Sequence, residues 1–475
     1  MSRSIHNLSL SRRALTAAST PEVVARLREI VGAENVLIDP DKVEPYAQDA
    51  LKEKFPPEAV VLPRTTEEMS EVLRLANERR FPVTARGGGV GYTGGAVPVE
   101  GGIVIGTDRM NRIREISPDN LYVITEPGVT TYALQQAVEA HGLFYPPDPS
   151  SYKTSFIGGN IAENAGGIRS AKYGVTKHYV IGLEVVTPTG EIIRTGGRTS
   201  KNVVGFDLTG LMCGSEGMLG IITEATLRLL PLPEATRTVR ATFHTMREAC
   251  ACVPQFTRAR VTPVACEVLD RNAIEAVESE FAFGIGAEAG ALLLVAVDGA
   301  IEEVERAARV VERVVRAGGA YDVIRSETRD EEDRLWDVRR ALSPSIKKFG
   351  TLKFNEDVVV PRSRVPDLIE RVVDIGRRYE TFVVNFGHLG DGNIHVNFMC
   401  DREDADAVRR ARAAVGETFA VAVELGGTIS GEHGIGYVKA PYLEMALGGT
   451  TIAAMKRIKD ALDPHGILNP GKMFA

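Results

Sequence analysis

The sequence predicts an α+β protein in two main parts, with a short lead-in ahead of them and a short segment behind. Three observations carry this. Glycine-rich segments alternate with strand-like apolar runs through the first half of the chain. At Pro231-Leu-Pro233 the texture changes. Beyond it, strands alternate with long charged helices that few glycines interrupt, the pattern of an antiparallel sheet covered by helices. The chain accordingly divides into a lead-in over 1–54, a first domain over 55–233, a second over 234–439 and a C-terminal segment over 440–475.

A chain of 475 residues is long enough for two or three domains and a large buried core. Its 44% hydrophobic and 25% charged residues are ordinary for a soluble globular protein. The net charge of −7 gives no electrostatic reason to expect nucleic acid or an anionic membrane, and no run approaches the ~18 apolar residues of a membrane span. Five cysteines without a C-x-x-C spacing argue for a reducing compartment, against a disulfide framework or zinc ribbon, and against a ferredoxin-type cluster within this chain. Arg3, Arg12 and Arg13 precede the first acidic residue, Glu22, but no apolar stretch comes after them before Pro21, so no secretory signal is read here. The expectation is a cytoplasmic protein, with peripheral membrane association and organellar import left open.

In order, Val23, Val24, Leu27 and Ile30 have helical spacing over 22–32. Ala59 to Leu62 reads as a buried strand. Thr65-Thr-Glu-Glu68 supplies a cap and first-turn acids for a helix through Arg80. Phe81 to Ala85, Ile103 to Gly106 and Tyr122 to Thr125 read as strands, and Thr130 to His141 as a helix. Tyr145 to Ser151, with three prolines, is a rigid turn. Leu183 to Thr187 and Glu191 to Arg194 form a hairpin about Pro188-Thr-Gly190, and Gly214 to Thr223 ends in a strand. Beyond the boundary, Ala291 to Val297 and Tyr321 to Ser326 are strands. Ile301 to Ala317 is a helix with Val304, Ala308, Val311 and Val315 on one stripe.

The stretch Arg86 to Gly95 holds six glycines in ten residues. Each forfeits a side chain and costs backbone entropy, so packing does not explain them. A loop of successive N–H groups that must approach a bulky anion, such as a pyrophosphate, does. Gly89, Gly91 and Gly94 formally match G-x-G-x-x-G, but residues 96–105 read as loop and strand rather than the helix a Rossmann site needs, so a nicotinamide site is rejected.

The sharpest signal is Phe386-Gly-His-Leu-Gly-Asp-Gly-Asn-Ile-His-Val-Asn397. Asp391-Gly392 predicts a two-residue type I′ hairpin turn, which sets His388 directly opposite His395. Asn397 shares that face. Two imidazoles so placed can chelate a divalent metal. The loop Ser430-Gly-Glu-His-Gly434 offers Glu432 as a third, anionic ligand and His433 as a free base beside it. On a predicted helix, Arg339 and Ser343 stand at i, i+4 and face one way; a fork of donors near a hydroxyl suits a carboxylate.

Together, the glycine loop, Pro146-Pro-Asp-Pro-Ser-Ser151, Gly159-Asn-Ile-Ala-Glu-Asn-Ala-Gly-Gly167, Gly214 to Thr223, the His388/His395 motif, Ser430 to Gly436 and Leu468-Asn-Pro-Gly-Lys472 resemble the FAD-linked 2-hydroxyacid dehydrogenases: the glycolate oxidase, D-lactate dehydrogenase and D-2-hydroxyglutarate dehydrogenase group of the vanillyl-alcohol-oxidase flavoprotein superfamily. The resemblance runs from about residue 55 to the C-terminus. It implies a two-part PCMH-type FAD-binding domain, an antiparallel-sheet-plus-helices substrate domain, and a C-terminus returning to the FAD domain.

It further implies that Arg86, Gly87, Gly88, Gly89, Val90, Gly91, Tyr92 and Thr93 cradle the FAD pyrophosphate. Pro147, Asp148, Ser151, Gly158, Gly159, Asn160, Asn164, Gly167, Glu216, Gly220, Ile222 and Asn469 line the rest of the site. His388, His395 and Glu432 hold a divalent metal, commonly zinc, and His433 acts as base. Arg339, Ser343 and Lys353 grip the substrate carboxylate, with Asn397 beside them. Residues 86–95 contain no histidine, so non-covalent FAD is expected. The implied reaction oxidises a D-2-hydroxy acid, with hydride passing to flavin N5. Electrons then pass to an external acceptor: a partner iron–sulfur subunit, an electron-transferring flavoprotein, a quinone or a cytochrome. A homodimer or hetero-complex is compatible with that role. Two other readings are a non-redox transferase of the alkylglycerone-phosphate-synthase type and a non-catalytic flavin subunit of an electron-transfer complex. The first lacks its histidine-rich stretch here, and the second has no need of the full His388, His395, Glu432, His433 and Arg339 set.

Overall fold

The computed structural model describes residues 17–474; Arg3, Arg12 and Arg13 lie outside the described residues. Ahead of residue 233 the chain forms two main sheets. The first is four-stranded, ordered Val36–Leu37, Ala59–Val61, Ile103–Gly106, Val83–Arg86, with its last three strands parallel. Thr66–Arg79 packs on it as the capped helix the sequence predicts: Thr65 Oγ1 accepts the Glu68 N–H at 3.2 Å. The second sheet is antiparallel and five-stranded, ordered Ile113–Ser117, Tyr122–Thr125, Ile221–Arg228, Val180–Val186, Ile192–Gly196. No helix comes after the glycine loop, whose residues run as turns to the Ile103–Gly106 strand.

Between the two halves of this region Ile157–Glu163 forms a helix that residue pattern does not announce, since it carries two glycines. Glycine is a poor helix former; tertiary contact decides here. A Cβ on Gly158 would lie 2.5 Å from the Pro127 side chain, so only glycine lets the helix seat that closely.

Residues 235–400 build a seven-stranded antiparallel sheet, ordered Asp322–Arg325, Ala235–Phe243, Ala291–Gly299, Ala265–Asp270, Phe382–His388, Asn393–Cys400, Leu352–Val359. One face carries Val268, Val358, Ile394, Val396 and Phe398 into a core shared with Val311, Val372 and Phe419 of the covering helices. The other carries Leu269, Val384, Phe386 and Met399 toward Arg271–Phe281 and Arg329–Ser345. The polar residues of the site belong to this second face.

The C-terminal segment returns to the first sheet. Val83 N–H donates to Ile467 O and Asn469 N–H to Val83 O, both at 2.8 Å, and Ile467 and Leu468 are buried in that sheet's core.

One sequence expectation needs correction. The hairpin of Phe382–His388 and Asn393–Cys400 closes through four residues, 389–392, not two. His388 therefore pairs with Asn393, and His395 with Phe386. The cause is competition for the turn: Gly390 N–H donates to Cys266 O, and Gly392 O accepts from Val360 N–H, tying the turn to both flanking strands. A shift of two residues conserves the face, because strand side chains alternate with period two. His388 and His395 remain neighbours, diagonally rather than directly.

Candidate active site

Between the glycine loop, the Ile157–Glu163 helix and residues 215–222 lies a cleft of about 1290 Å³, its open mouth included. Arg86 to Tyr92, Ser151, Gly158, Gly159, Asn160, Glu216, Gly220 and Ile222 line it, and so do Glu432 and His433. A Cβ on Gly91 or Gly159 would meet no protein atom within 4 Å. These glycines are bare toward the cleft itself, which is what close approach of backbone to a large ligand requires.

Several cofactor candidates hold the walls together through bonds of their own. Asp148 takes Arg169 N–H at 3.2 Å and pairs with its Nε at 3.2 Å; burial pushes its pKa up to about 6 against that pairing. A Cβ on Gly167 would strike Asp148 O at 2.5 Å. Asn164 is the left-handed cap of the Ile157–Glu163 helix and accepts from Lys177 N–H at 2.9 Å. Pro147 O accepts from Gln135, and Asn160 donates to Thr131. Asn469 accepts from Ala85 N–H at 3.3 Å and donates to Glu216 O at 2.5 Å. Thr93 donates to His433 O at 3.2 Å, joining the glycine loop to the 430–434 loop. The Arg86 guanidinium is spent on the carbonyls of Ala96, Pro45 and Gln48, so Arg86 shapes the loop through its side chain and faces the cleft with its backbone.

At one end of the cleft the two sheet histidines meet the 430–434 loop. His388 Nε2 and His395 Nε2 are 3.4 Å apart, and Glu432 Oε1 stands 3.6 Å from the first and 3.5 Å from the second. A tetrahedral zinc with ligands at about 2.1 Å sets its donors roughly 3.4 Å apart. The three atoms thus form a triangle that one divalent ion fits, with a fourth position free. Burial lowers His395 to about 3 despite Glu432. Burial would also raise Glu432, but His388, His395 and His433 hold it near 2. Glu432 is thus held as the anion between the two rings.

Two residues that sequence reasoning missed complete this end. Glu267, fully buried on Ala265–Asp270, lies 2.5 Å from His388 Nδ1 and accepts Arg339 Nε at 2.7 Å. Burial works against its charge, yet His388 and Arg339 bring it down to about 2; burial likewise works against His388, which Glu267 and Glu432 hold well above its ordinary range. Asp357, also fully buried, accepts the N–H groups of Gly431, Glu432 and His433 at 2.8, 2.6 and 3.0 Å, and Lys439 Nζ bonds its other oxygen. His433 Nδ1 is 3.3 Å from Asp357 Oδ1, an ion-pair distance off the line of a hydrogen bond. Its Nε2 lies 3.9 Å from Glu432 Oε1, so the other edge of the ring faces the triangle. Its ring is flanked by Tyr92 at 4.9 Å and His395 at 5.5 Å. Burial lowers His433, with Asp357 and Glu432 opposing.

The substrate candidates are placed unevenly. Arg339 lies 4.8 Å over the Phe386 ring, its Nε taken by Glu267. Lys353, on the strand of Asp357, is half-buried and has no hydrogen bond or ion pair among the described residues; burial and the nearby Lys347 and Lys52 lower its pKa. Asn397 pairs across the sheet with Asn355, and both leave Oδ1 buried and unbonded. Because Asn397 Nδ2 is occupied by Val384 O and His395 O, what it presents is an acceptor. Ser343 is exposed on the outside of its helix, while Arg339 is turned inward. The i, i+4 spacing overstated their common direction, since Arg339 bends toward buried Glu267.

The family profile "FAD binding domain" matches residues 57–196, and "FAD linked oxidases, C-terminal domain" matches 232–473. The chain is 43% identical to the glycolate oxidase subunit GlcD of Bacillus subtilis, over 96% of this chain and 97% of that one. It is 37% identical to a D-lactate dehydrogenase of Anaerostipes hadrus (96% and 97%) and 33% identical to a D-2-hydroxyglutarate dehydrogenase of Stutzerimonas stutzeri (96% and 99%). Among solved structures, p-cresol methylhydroxylase with substrate bound shares the fold at TM-score 0.81 and 20% identity, over 97% of this chain and 98% of that one. The chain belongs to the FAD-linked oxidase family of the glycolate oxidase, D-lactate and D-2-hydroxyglutarate dehydrogenase type, and is an FAD-linked oxidoreductase.

Proposed function

We propose that the protein oxidises a D-2-hydroxy acid of the D-lactate, glycolate or D-2-hydroxyglutarate class to the 2-oxo acid, using non-covalent FAD and one divalent metal ion, and passes the electrons to an external acceptor. The observation that carries this is the His388, His395 and Glu432 donor triangle beside His433 at one end of the FAD-type cleft. The names of the relatives, all acting on 2-hydroxy acids, support it.

FAD supplies the hydride acceptor, and a divalent ion, zinc by the donor set, supplies Lewis acidity toward the α-oxygen. The rest belongs to the chain. Arg339 and Lys353 are the cations available to the substrate carboxylate. Asn397 Oδ1 is an acceptor on the same sheet face. His433, its Nδ1 3.3 Å from Asp357 Oδ1, takes the α-hydroxyl proton at Nε2, the nitrogen on the side of the triangle. Tyr92 on its flank and burial of the ring keep bulk water from that nitrogen.

The test is anaerobic bleaching of the flavin absorbance across a panel of D- and L-2-hydroxy acids. Reduction by at least one D-acid, and loss of it after chelation, is the expected result. A metal-replete enzyme reduced by none of them overturns the proposal.

A further inference from the structure

The most exposed large apolar side chains of the described residues lie together. Val203 is 96% exposed, Val204 89% and Phe206 95%, and no other large apolar residue passes 49%. They belong to the loop over 197–207, which leaves the Ile192–Gly196 strand and returns as the short helix Leu208–Met212. That strand is the last of the five-stranded sheet, so the loop starts from the sheet's outer edge. Apolar residues exposed singly are ordinary on a protein surface; three on one tip mark a contact site.

Cations stand behind the tip. From Ile192 to Phe206 the sequence holds Arg194, Arg198 and Lys201 and no acid. The Arg194 and Arg198 side chains stay 78% and 59% exposed, although each pairs with a carboxylate, Glu184 and Glu115 respectively. Lys201 is exposed and has no ion pair or side-chain hydrogen bond among the described residues. Asp207, the acid that bounds the run, is turned to its own helix and accepts Gly210 N–H at 2.8 Å.

We propose that residues 197–207 are a membrane-docking loop: Val203, Val204 and Phe206 enter the acyl boundary of an anionic bilayer, and Arg194, Arg198 and Lys201 meet its headgroup phosphates. An apolar tip backed by cations matches the layering of that interface. The chain's net charge of −7 supplies no general attraction, so the local positive charge selects which side of the molecule approaches. A folded protein partner fits the tip less well. Stable interfaces bury about 800 Å² a side in a close-packed core framed by a polar rim. Near-complete exposure of all three side chains means that no protein surface frames them, and a fluid phase needs no frame.

The experiment co-sediments the FAD-loaded full chain with vesicles of phosphatidylcholine alone, and of equal parts phosphatidylcholine and phosphatidylglycerol. Wild type is expected on the mixed vesicles, released by high salt, and roughly tenfold less on phosphatidylcholine alone. Replacing Val203, Val204 and Phe206 together by serine lowers partitioning roughly tenfold or more, the scale of the apolar area withdrawn. Lys201→Glu also lowers it roughly tenfold, at about 1 kcal/mol per charge near such a surface. None of these side chains is packed, so flavin content and the unfolding midpoint stay at wild type. In Phe206→Trp, mixed vesicles shift the tryptophan emission to the blue, against the fixed background of Trp336, which is bonded to Thr238. Wild type that stays off mixed vesicles overturns the proposal, as does a triple-serine variant that binds them like wild type. A wild-type dimer that the triple-serine variant dissolves, with no vesicle binding by either, gives the loop to a second copy and overturns it too. No substrate or metal enters these measurements, so their outcome is independent of the function proposed above.

Discussion

Glu267 holds His388 by Nδ1 at 2.5 Å, fixing which ring nitrogen is turned toward Glu432. The two residues are 121 positions apart in sequence and directly paired across the sheet. A carboxylate on the far nitrogen of a ligating imidazole orients it and raises its basicity, and removing such a partner costs about 10–100-fold in metal affinity. Glu267→Gln is therefore expected to weaken metal binding by that factor, in competition with a chromogenic chelator, with FAD content unchanged. Wild-type affinity in the variant would remove Glu267 from the metal site.

The triangle and the base separate by mutation. His388→Ala should strip the metal and leave FAD bound, because the glycine-rich walls of the cleft come from residues 86–222. His433→Ala should retain both metal and FAD while turnover falls roughly 10²–10⁴-fold, the range for losing an acid–base group. Near-normal flavin reduction in His433→Ala would end its assignment as base.

Asp357→Ala leaves Lys439 buried without its carboxylate and frees three backbone N–H groups at once. Removing one partner of a buried pair costs about 3–5 kcal/mol, so the urea unfolding midpoint should drop markedly at an unchanged slope. A midpoint within error of wild type would show that Lys439 finds another partner.

Acid precipitation of the holoprotein should leave a yellow supernatant, since residues 86–95 offer no histidine for covalent attachment. Flavin retained in the pellet would mean attachment elsewhere in the chain.

Glycine loops, caps and the histidine motif were legible because each is a local pattern with a local cause. Thr65 caps its helix within three residues of itself, and the bare backbone of Gly91 shows in its own sequence neighbourhood. Glu267 and Asp357 were not legible. Each is a single acid on a strand, and its role comes from a cross-strand register to His388 or His395 that no short window contains. The hairpin length failed for the same reason: Asp391-Gly392 specifies a tight turn locally, but Cys266 and Val360 claim its backbone from outside. Ser343 lies exposed while Arg339 turns inward, because helical spacing fixes an angle and says nothing of which neighbour pulls a side chain inward.

Residues 431–436 are stapled from two sides: Asp357 of the seven-stranded sheet takes three of their amides, and Glu216 beside the cleft takes two more. This segment works as a gauge between the two halves of the chain. It cannot follow one half without losing its bonds to the other, so a change in the gap between them would displace the segment that carries His433. The position of His433 is thereby tied to the spacing of the two halves.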